Sequence, residues 1–294
     1  MGTIEGQGRA ALAALTGASL IGLAPIAIRL SEVGPHATNL WRFLFALPIL
    51  GLWAGLARAN PSARQTGLLI IAGILFGFEI SLWAAALGMT TVVNATLLVN
   101  LTPVFAAGLG WLLLKERLGA ATLAGGAIAL AGAIILALAR AQQTGAAAGG
   151  PLGALGDTLA FSGAIFYAGY LMIVRATGRS VNVGAVMFWA TLGAATVSAI
   201  ASFALGENML PRTVAGWAML AGLGVVVHVG GQGLIAYGVG RLPLAASTVL
   251  LWMQPLVGAA LSWIMFGEKL GVWAFFGAAL ILAGIYAVQR ARSS

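Results

Sequence analysis

WLLLKERLG (residues 111–119) and WIMFGEKLG (residues 263–271) are similar stretches that lie 152 positions apart, and each ends a long apolar run with a group of charged residues. The same shift superimposes further positions, namely Thr96 on Thr248, Pro103 on Pro255, Ala107 on Ala259, Leu109 on Leu261 and Gly125 on Gly277. Chance does not hold one register over so long a segment. The chain therefore contains an internal repeat.

The residues around these two stretches are strongly apolar. The chain is 61% hydrophobic and 7% charged, whereas an ordinary soluble domain has about 45–50% and about 25%. Runs of about 20 apolar residues recur, each long enough to cross a hydrocarbon layer about 30 Å thick as a helix. We therefore predict an all-α polytopic membrane protein embedded in a lipid bilayer. The net charge of +8 comes from Lys and Arg scattered singly between apolar runs, which argues against a nucleic-acid partner.

The apolar runs predict ten transmembrane helices, near residues 10–30, 36–57, 66–87, 92–114, 119–139, 153–174, 182–205, 213–237, 244–266 and 271–289. A Gly- and Ala-rich linker at 141–152 separates a first five-helix unit, 1–140, from a second, 153–294. Because five is odd, the second unit enters the membrane upside down relative to the first. Inverted repeats are typical of secondary transporters, and some channels contain them too.

The distribution of basic residues predicts the orientation. With the N-terminus inside, the cytoplasmic segments hold Arg9, Arg58, Arg64, Lys115, Arg117, Arg175, Arg179, Arg241, Arg290 and Arg292. The outer segments hold Arg29, Arg140, Arg212 and Lys269. This bias places both termini in the cytoplasm and suits a bacterial-type cytoplasmic membrane.

The repeated motif resembles a known family. Each copy has a proline thirteen positions before Glu-[Arg/Lys]-Leu-Gly and a Gly-rich helix after it, and Arg42 lies early in the predicted second helix. In these features the whole chain is similar to the ten-helix, EamA-type branch of the drug/metabolite transporter superfamily, and most like its aromatic amino-acid exporters. The resemblance implies two inverted repeats around a central cavity and export of small metabolites, amino acids prominent among them.

The predicted fourth and ninth helices provide the first candidate substrate site. Thr96, Asn100 and Pro103 share one helical stripe, and the repeat places Thr248, Trp252 and Pro255 on the corresponding stripe. We expect the two stripes to face each other, so that Asn100 and Trp252 offer an amide and a broad ring to the substrate. In the alternative interpretation Asn100 holds helices together and Trp252 is ordinary packing.

Pro103 and Pro255 interrupt these helices. Each removes the hydrogen bond to a carbonyl four residues earlier, that of Val99 or Leu251. The freed carbonyls either line a wet cavity at a hinge, or are satisfied by a neighbouring hydroxyl or a local helix adjustment, in which case the proline only kinks the helix.

Polar residues inside other predicted helices are further candidates. Glu79 is an intramembrane acid, which is costly unless it has a function. It either forms a structural ion pair with Arg42 or binds substrate or a proton, and Arg42 alternatively extends toward the membrane surface by itself.

A second set lies on the predicted sixth and eighth helices. His228 and Gln232 are four residues apart on one face; the histidine either couples export to protons or is simply hydrogen-bonded within the bundle. Tyr167 and Tyr170 form either an aromatic cavity wall or part of the core.

The sequence contains no metal-ligand set, catalytic motif or nucleotide-binding loop. We therefore expect no enzymatic activity, catalytic residue or cofactor. The predicted function is export of a small-molecule substrate by alternating access, without a need for oligomerisation. The alternative is a channel-like facilitator, or an exporter of other metabolites or drugs. Glu116 and Glu268, in the repeated motif, are interpreted as anchors at helix ends.

Overall fold

The computed structural model describes residues 4–56, 61–87, 89–90, 95, 98–117, 119–144, 152–266 and 271–290. Helices account for nearly all of these residues. In chain order they are α1 (Ile4–Ile21), α2 (Ala24–Arg29), α3 (Pro35–Leu56), α4 (Ala63–Leu87), α5 (Thr102–Leu114), α6 (Ala120–Thr144), α7 (Gly153–Thr177), α8 (Val183–Ala204), α9 (Val214–Gly222), a π-helical segment (Leu223–Gln232), α10 (Gly233–Arg241), α11 (Leu244–Leu250), α12 (Met253–Phe266) and α13 (Val272–Arg290).

These helices form membrane-spanning segments. Among the described residues, 7 helical stretches are long and apolar enough to cross a membrane, three of them made of helices in succession, such as Val214–Arg241. Three shorter apolar helices, Thr102–Leu114, Ala120–Leu136 and Val272–Val288, cover the remaining predicted crossings. The prediction of an all-α polytopic membrane protein is confirmed.

Some boundaries differ from those predicted. The first helix begins at Ile4 rather than near residue 10, because the polar residues before Arg9 continue the helix. It is interrupted at residues 22 and 23, where Pro25 starts the separate helix α2. Helix α6 continues to Thr144, so the first four residues of the predicted linker are helical, and 145–151 lie outside the described residues.

The helix contacts show the internal repeat. The repeat matches α1 with α7, α3 with α8, and α4 with the stretch Val214–Arg241. When each helix is replaced by its match, the contacts stay the same. Helix α7 packs on α4, and its match α1 packs on α10, which is part of the match of α4. Helix α3 packs on its own match, α8. The packing therefore has an approximate two-fold axis between the two halves.

Four glycines on α6 and α13 show that the second half is inverted. Gly125 packs against Gly284, and Gly132 packs against Gly277, at distances where an added Cβ would meet backbone atoms. As residue numbers rise along α6 they fall along α13, so these two matched helices run antiparallel. The 152-residue shift converts one glycine pair into the other, as two-fold symmetry requires.

Both repeats contain a helix that is broken just before a proline. The chain turns at 100–101 before α5, and at 251–252 between α11 and α12. Pro103 and Pro255 lie in the first turns of α5 and α12, where a missing backbone N–H leaves no intrahelical bond unmade. The prolines thus start new helices rather than kink continuous ones.

Candidate functional site

Eight side chains from three helices and the π-helical segment meet inside the bundle and are called here the interior cluster. They are Arg42, Phe43, Phe76, Glu79, Tyr167, Tyr170, His228 and Gln232. Six of them are candidates that the sequence pointed to separately. Tertiary packing places these six at one site.

Aromatic rings form one wall of the interior cluster. The rings of Tyr167 and Tyr170 are stacked with centroids 5.7 Å apart. Phe76, from α4, lies 4.9 Å from Tyr170 and 5.9 Å from Tyr167 by the same measure. Such offset contacts stabilise the wall beyond simple burial. The tyrosines therefore belong both to the core and to a wall beside charged groups.

The polar side chains of the π-helical segment are buried and hydrogen-bonded. Gln232 Nε2 donates to Tyr170 Oη over 3.1 Å. His228 Nε2 lies 2.8 Å from Thr191 Oγ1, while its Nδ1 has no hydrogen-bond partner among the described residues. Sequence reasoning missed Thr191, whose signal was a hydroxyl in the middle of an apolar helix. A π-helix in the middle of a span is a common feature of functional sites.

Arg42 and Glu79 do not form a structural ion pair, which was one of the interpretations that the sequence left open. No guanidinium nitrogen of Arg42 comes within 4.0 Å of a carboxylate in the described residues, although the two charges attract each other across the interior. The reason lies in the packing. Helices α3 and α4 follow each other in the chain but make few contacts with each other, because α3 packs mainly on α8 whereas α4 packs on both α7 and α8. Arg42 is also only 5% exposed, so it does not extend to a surface.

Asn100 and Trp252 meet, as the matched stripes predict, but through the backbone. The indole Nε1 of Trp252 donates to the carbonyl oxygen of Asn100 over 3.3 Å. The Asn100 amide nitrogen is buried and has no hydrogen-bond partner in the part of the chain that the structure describes. The two helix breaks are thus in direct contact, and one polar group beside them is unsatisfied.

The remaining members of the stripes have local partners. Thr248 donates to the carbonyls of Leu244 and Ala245 and is fully buried. The Val99 carbonyl accepts a 2.7 Å bond from Thr102 Oγ1, and the Leu251 carbonyl accepts one from the Gln254 N–H. The carbonyls freed by the prolines are therefore satisfied locally. Thr96 lies outside the described residues.

Glu116, in the repeated motif, joins three helices at the predicted cytoplasmic end. Its Oε1 accepts a 2.7 Å bond from Arg175 Nε at the end of α7. Its Oε2 accepts a 2.6 Å bond from the Leu244 N–H, the first of α11, where the helix dipole favours a negative charge. Arg175 also donates to the Gly240 carbonyl. Glu268, the equivalent residue, lies outside the described residues.

Two other glutamates join the halves at the opposite end. Glu207, which follows α8, accepts from the backbone N–H groups of His36 and Ala37 at the start of α3, and lies 2.7 Å from His36 Nδ1. Glu32, which precedes α3, accepts in return from Arg212 and Thr213 at the start of α9. Each loop thus caps a helix of the other half. Sequence reasoning missed both, since their partners are more than 160 positions away.

A pH-dependent loss of stability is expected from Glu32. The hydroxyl and backbone N–H of Thr213 and the N–H of Arg212 hold the pKa of Glu32 below its ordinary value of 4.5. A carboxylate with a lowered pKa stabilises the fold above its ordinary pKa, and loses this contribution as the pH falls through the folded-state value. We expect the unfolding temperature of detergent-solubilised wild type to exceed that of Glu32→Gln at about pH 7. The difference between the two unfolding temperatures should disappear as the pH falls to about pH 3.

Glu5→Gln is the matched control, since Glu5 is exposed and pairs with Arg9 one turn away in its own helix. It should follow wild type at every pH. A Glu32→Gln gap that does not change with pH would point to packing instead of charge.

Membrane-spanning helices, an inverted repeat and buried polar residues between its halves define a polytopic membrane protein with an architecture common among transporters. The chain belongs to the EamA-like transporter family, which matches residues 8–138 and again residues 154–290. The resemblance seen in the sequence is confirmed, and the protein is a family member with two matching segments.

Two relatives match nearly the whole chain. A "Probable terminal-alkyne amino-acid exporter" of Streptantibioticus cattleyicolor is 27% identical over 272 residues, which is 90% of this chain and 87% of the relative. An uncharacterized transporter of Archaeoglobus fulgidus is 24% identical over 273 residues, covering 89% of this chain and 90% of the relative. A protein crystal structure with 23% identity superposes with a TM-score of 0.77 over 95% of both chains, which shows the same fold.

Proposed function

We propose that this protein is a secondary transporter that exports amino acids or closely related small metabolites by alternating access. Its place in the EamA-like family and its similarity to a probable amino-acid exporter support the substrate class. In this proposal the units 1–140 and 153–294 move relative to each other in a bacterial-type cytoplasmic membrane, with both termini in the cytoplasm. A single copy suffices, since the interior cluster is built within one chain.

The observation that carries the proposal is the contact between the two matched helix breaks. Trp252 Nε1 bonds to the Asn100 carbonyl where the halves meet. Discontinuous helices at a repeat interface are a recurrent design of transporters, in which one repeat rocks against the other. The breaks provide points where the halves can reorient without melting whole helices.

The contacts at the two ends of the bundle support the same mechanism. Glu116 bonds to Arg175 and Leu244, and Glu207 and Glu32 bond to the starts of α3 and α9; every one of these bonds joins the first half to the second. Alternating access requires contacts at one end to open while those at the other hold. The two sets of carboxylate contacts are suited to that exchange.

Counterflow in proteoliposomes tests the proposal. Vesicles loaded with unlabelled amino acid should accumulate labelled amino acid transiently, with a rate that saturates. Flux that does not saturate and carries a conductance would instead show the channel-like alternative. If other metabolites or drugs show counterflow and no amino acid does, the protein is a transporter of a different substrate class.

Trp252→Phe should lower the counterflow rate about fivefold. Phenylalanine keeps most of the ring but cannot donate to Asn100, and one hydrogen bond is worth about 1 kcal/mol, or a factor of about five in the balance between states that differ in this contact. Trp252→Ala is less informative, because Trp252 is 3% exposed and its truncation would cost about 3–5 kcal/mol of packing. Trp263→Phe is the matched control, since Trp263 is 49% exposed. Equal effects of both changes on transport would contradict the role of the contact.

A further inference from the structure

Arg42 and Glu79 are ionisable residues of opposite sign inside the bundle, and neither has an ion-pair partner among the described residues. The Nε of Arg42 is buried and has no hydrogen-bond partner in the described part of the chain. Neither side chain takes part in an ion pair there, although each attracts the other electrostatically. Buried charges in proteins are normally paired, because an uncompensated one is costly. Two such side chains, held apart inside the bundle, are suited to bind two oppositely charged groups of a ligand.

We propose that Arg42 binds the α-carboxylate and Glu79 the α-ammonium of an amino-acid zwitterion, with the side chain of the substrate against the ring wall of Phe76, Tyr167 and Tyr170. This assignment rests on the proposed transport function and specifies how the same site recognises its substrate. The proposed ligands are amino acids with apolar side chains.

The geometry favours a zwitterion over a singly charged ligand. A ligand with one charge would neutralise Arg42 or Glu79 and leave the other buried and unpaired. The zwitterion carries both signs on adjacent groups and has no net charge, so it compensates both residues at once. The gap between Arg42 and Glu79, which exceeds ion-pair distance, is where those groups would lie.

The surroundings orient the two charges. The Arg42 guanidinium carbon lies 5.8 Å from the centroid of the Phe43 ring, within the range of cation–π attraction. A planar guanidinium presents paired N–H groups that match a carboxylate. Phe76 stacks on Tyr170 at 4.9 Å and on the His228 ring at 6.2 Å, so the wall near Arg42 and Glu79 is made of packed aromatic rings. The polar contacts therefore select the backbone of an amino acid, and the rings accept its side chain.

Binding to purified protein tests the proposal with three matched ligand sets. They are phenylalanine with phenethylamine and 3-phenylpropionate, leucine with 3-methylbutylamine and 4-methylpentanoate, and propargylglycine with but-3-ynylamine and pent-4-ynoate. Each amine lacks only the carboxylate, and each acid lacks only the ammonium. In calorimetry at neutral pH, the parent amino acid of at least one set should bind about 10- to 100-fold more tightly than its amine and its acid, since each lost group removes charge-assisted hydrogen bonds.

Two substitutions should change this selectivity in opposite ways. Arg42→Gln should weaken amino-acid binding about 10- to 100-fold, to the level of the amine, whose own affinity stays unchanged. Glu79→Gln should weaken amino-acid binding to the level of the matched carboxylic acid, which lacks the ammonium group. Arg42→Lys keeps the charge without the planar fork and should lie between wild type and Arg42→Gln. Ser198→Ala, which removes another buried group that has no partner among the described residues, is the control and should leave all ratios unchanged.

Thermal stability without ligand distinguishes a ligand-binding role of Arg42 and Glu79 from a structural role. Arg42→Gln and Glu79→Gln should retain the thermal stability of the ligand-free protein, because each removes an ionisable group that lies inside the bundle and has no ion-pair partner among the described residues. Loss of stability in both, with ligand ratios like those of wild type, would overturn the assignment. So would an amine or acid that binds as tightly as its parent, or counterflow of some other solute with no amino acid bound. That last result would leave transport standing, whereas absence of all counterflow would defeat the proposed function as well.

Discussion

Gly73→Ala is expected to lower the free energy of unfolding by about 3 kcal/mol, the upper part of the range for overpacking a tight helix contact. An added Cβ at Gly73 would overlap the backbone carbonyl of Ala190 on α8, a group that cannot move like the end of a side chain. Gly193, on the same face of α8, approaches the Ile70 carbonyl in the same way. The GILFG stretch (73–77) therefore serves contact within the chain, where α4 crosses α8. Unfolding in mixed detergent micelles, followed by far-UV circular dichroism, would measure the loss.

Gly67→Ala is the matched control in the same helix. A Cβ at Gly67 has no neighbouring atom within 4 Å, and alanine favours a helix more than glycine by about 1 kcal/mol. The control should leave stability unchanged or raise it slightly. If both substitutions lower the free energy of unfolding by the same amount, the loss does not come from the close contact between α4 and α8.

Glu116→Ala is expected to be the other strongly destabilising change, with a loss of about 3 kcal/mol. The substitution leaves the guanidinium of Arg175, which is 8% exposed, without its carboxylate, and leaves the Leu244 N–H at the start of α11 without an acceptor. Both consequences act at one point, where α5, α7 and α11 meet. The same micelle unfolding experiment would measure it.

A double-mutant cycle separates the pair from its surroundings. Arg175→Met with Glu116→Ala should cost less than the two single changes added together, by about 2 kcal/mol, because the charge stranded by the first change is removed by the second. Additive losses would mean that the two side chains stabilise the fold independently. Glu5→Ala, which breaks an exposed pair with Arg9, should cost less than about 0.5 kcal/mol.

Much of the architecture could be predicted because a membrane makes sequence easy to interpret. Apolar runs must be helical to satisfy their backbone, and their length is set by the bilayer. The 152-residue repeat and the odd number of helices in each half together required the inversion that the glycine pairs of α6 and α13 display. Polar residues such as Glu79, Arg42 and His228 stood out because they are costly in such surroundings.

The partners of those polar residues could not be predicted. Periodicity tells which residues share a face of one helix, but not which helix that face meets. A structural pair of Arg42 and Glu79 was one of the interpretations that the sequence left open, yet α3 and α4 make few contacts with each other and the two side chains do not meet. Proline likewise shows only that an N–H is missing; the new helices starting near Pro103 and Pro255 depend on the tertiary contacts of each break.

The amino-acid order alone was enough to establish that this chain is a two-fold repeat of membrane helices with a few polar residues inside it. This follows because hydrophobic length and internal similarity are properties of the chain alone. Helix packing was needed to show that Arg42 of α3 and Glu79 of α4 lie near the ring wall without an ion-pair partner among the described residues, and that WLLLKERLG supplies a carboxylate to two other helices. Those outcomes depend on contacts between residues as many as 128 positions apart, as for Glu116 and Leu244, and such contacts exist only once the two halves have packed against each other.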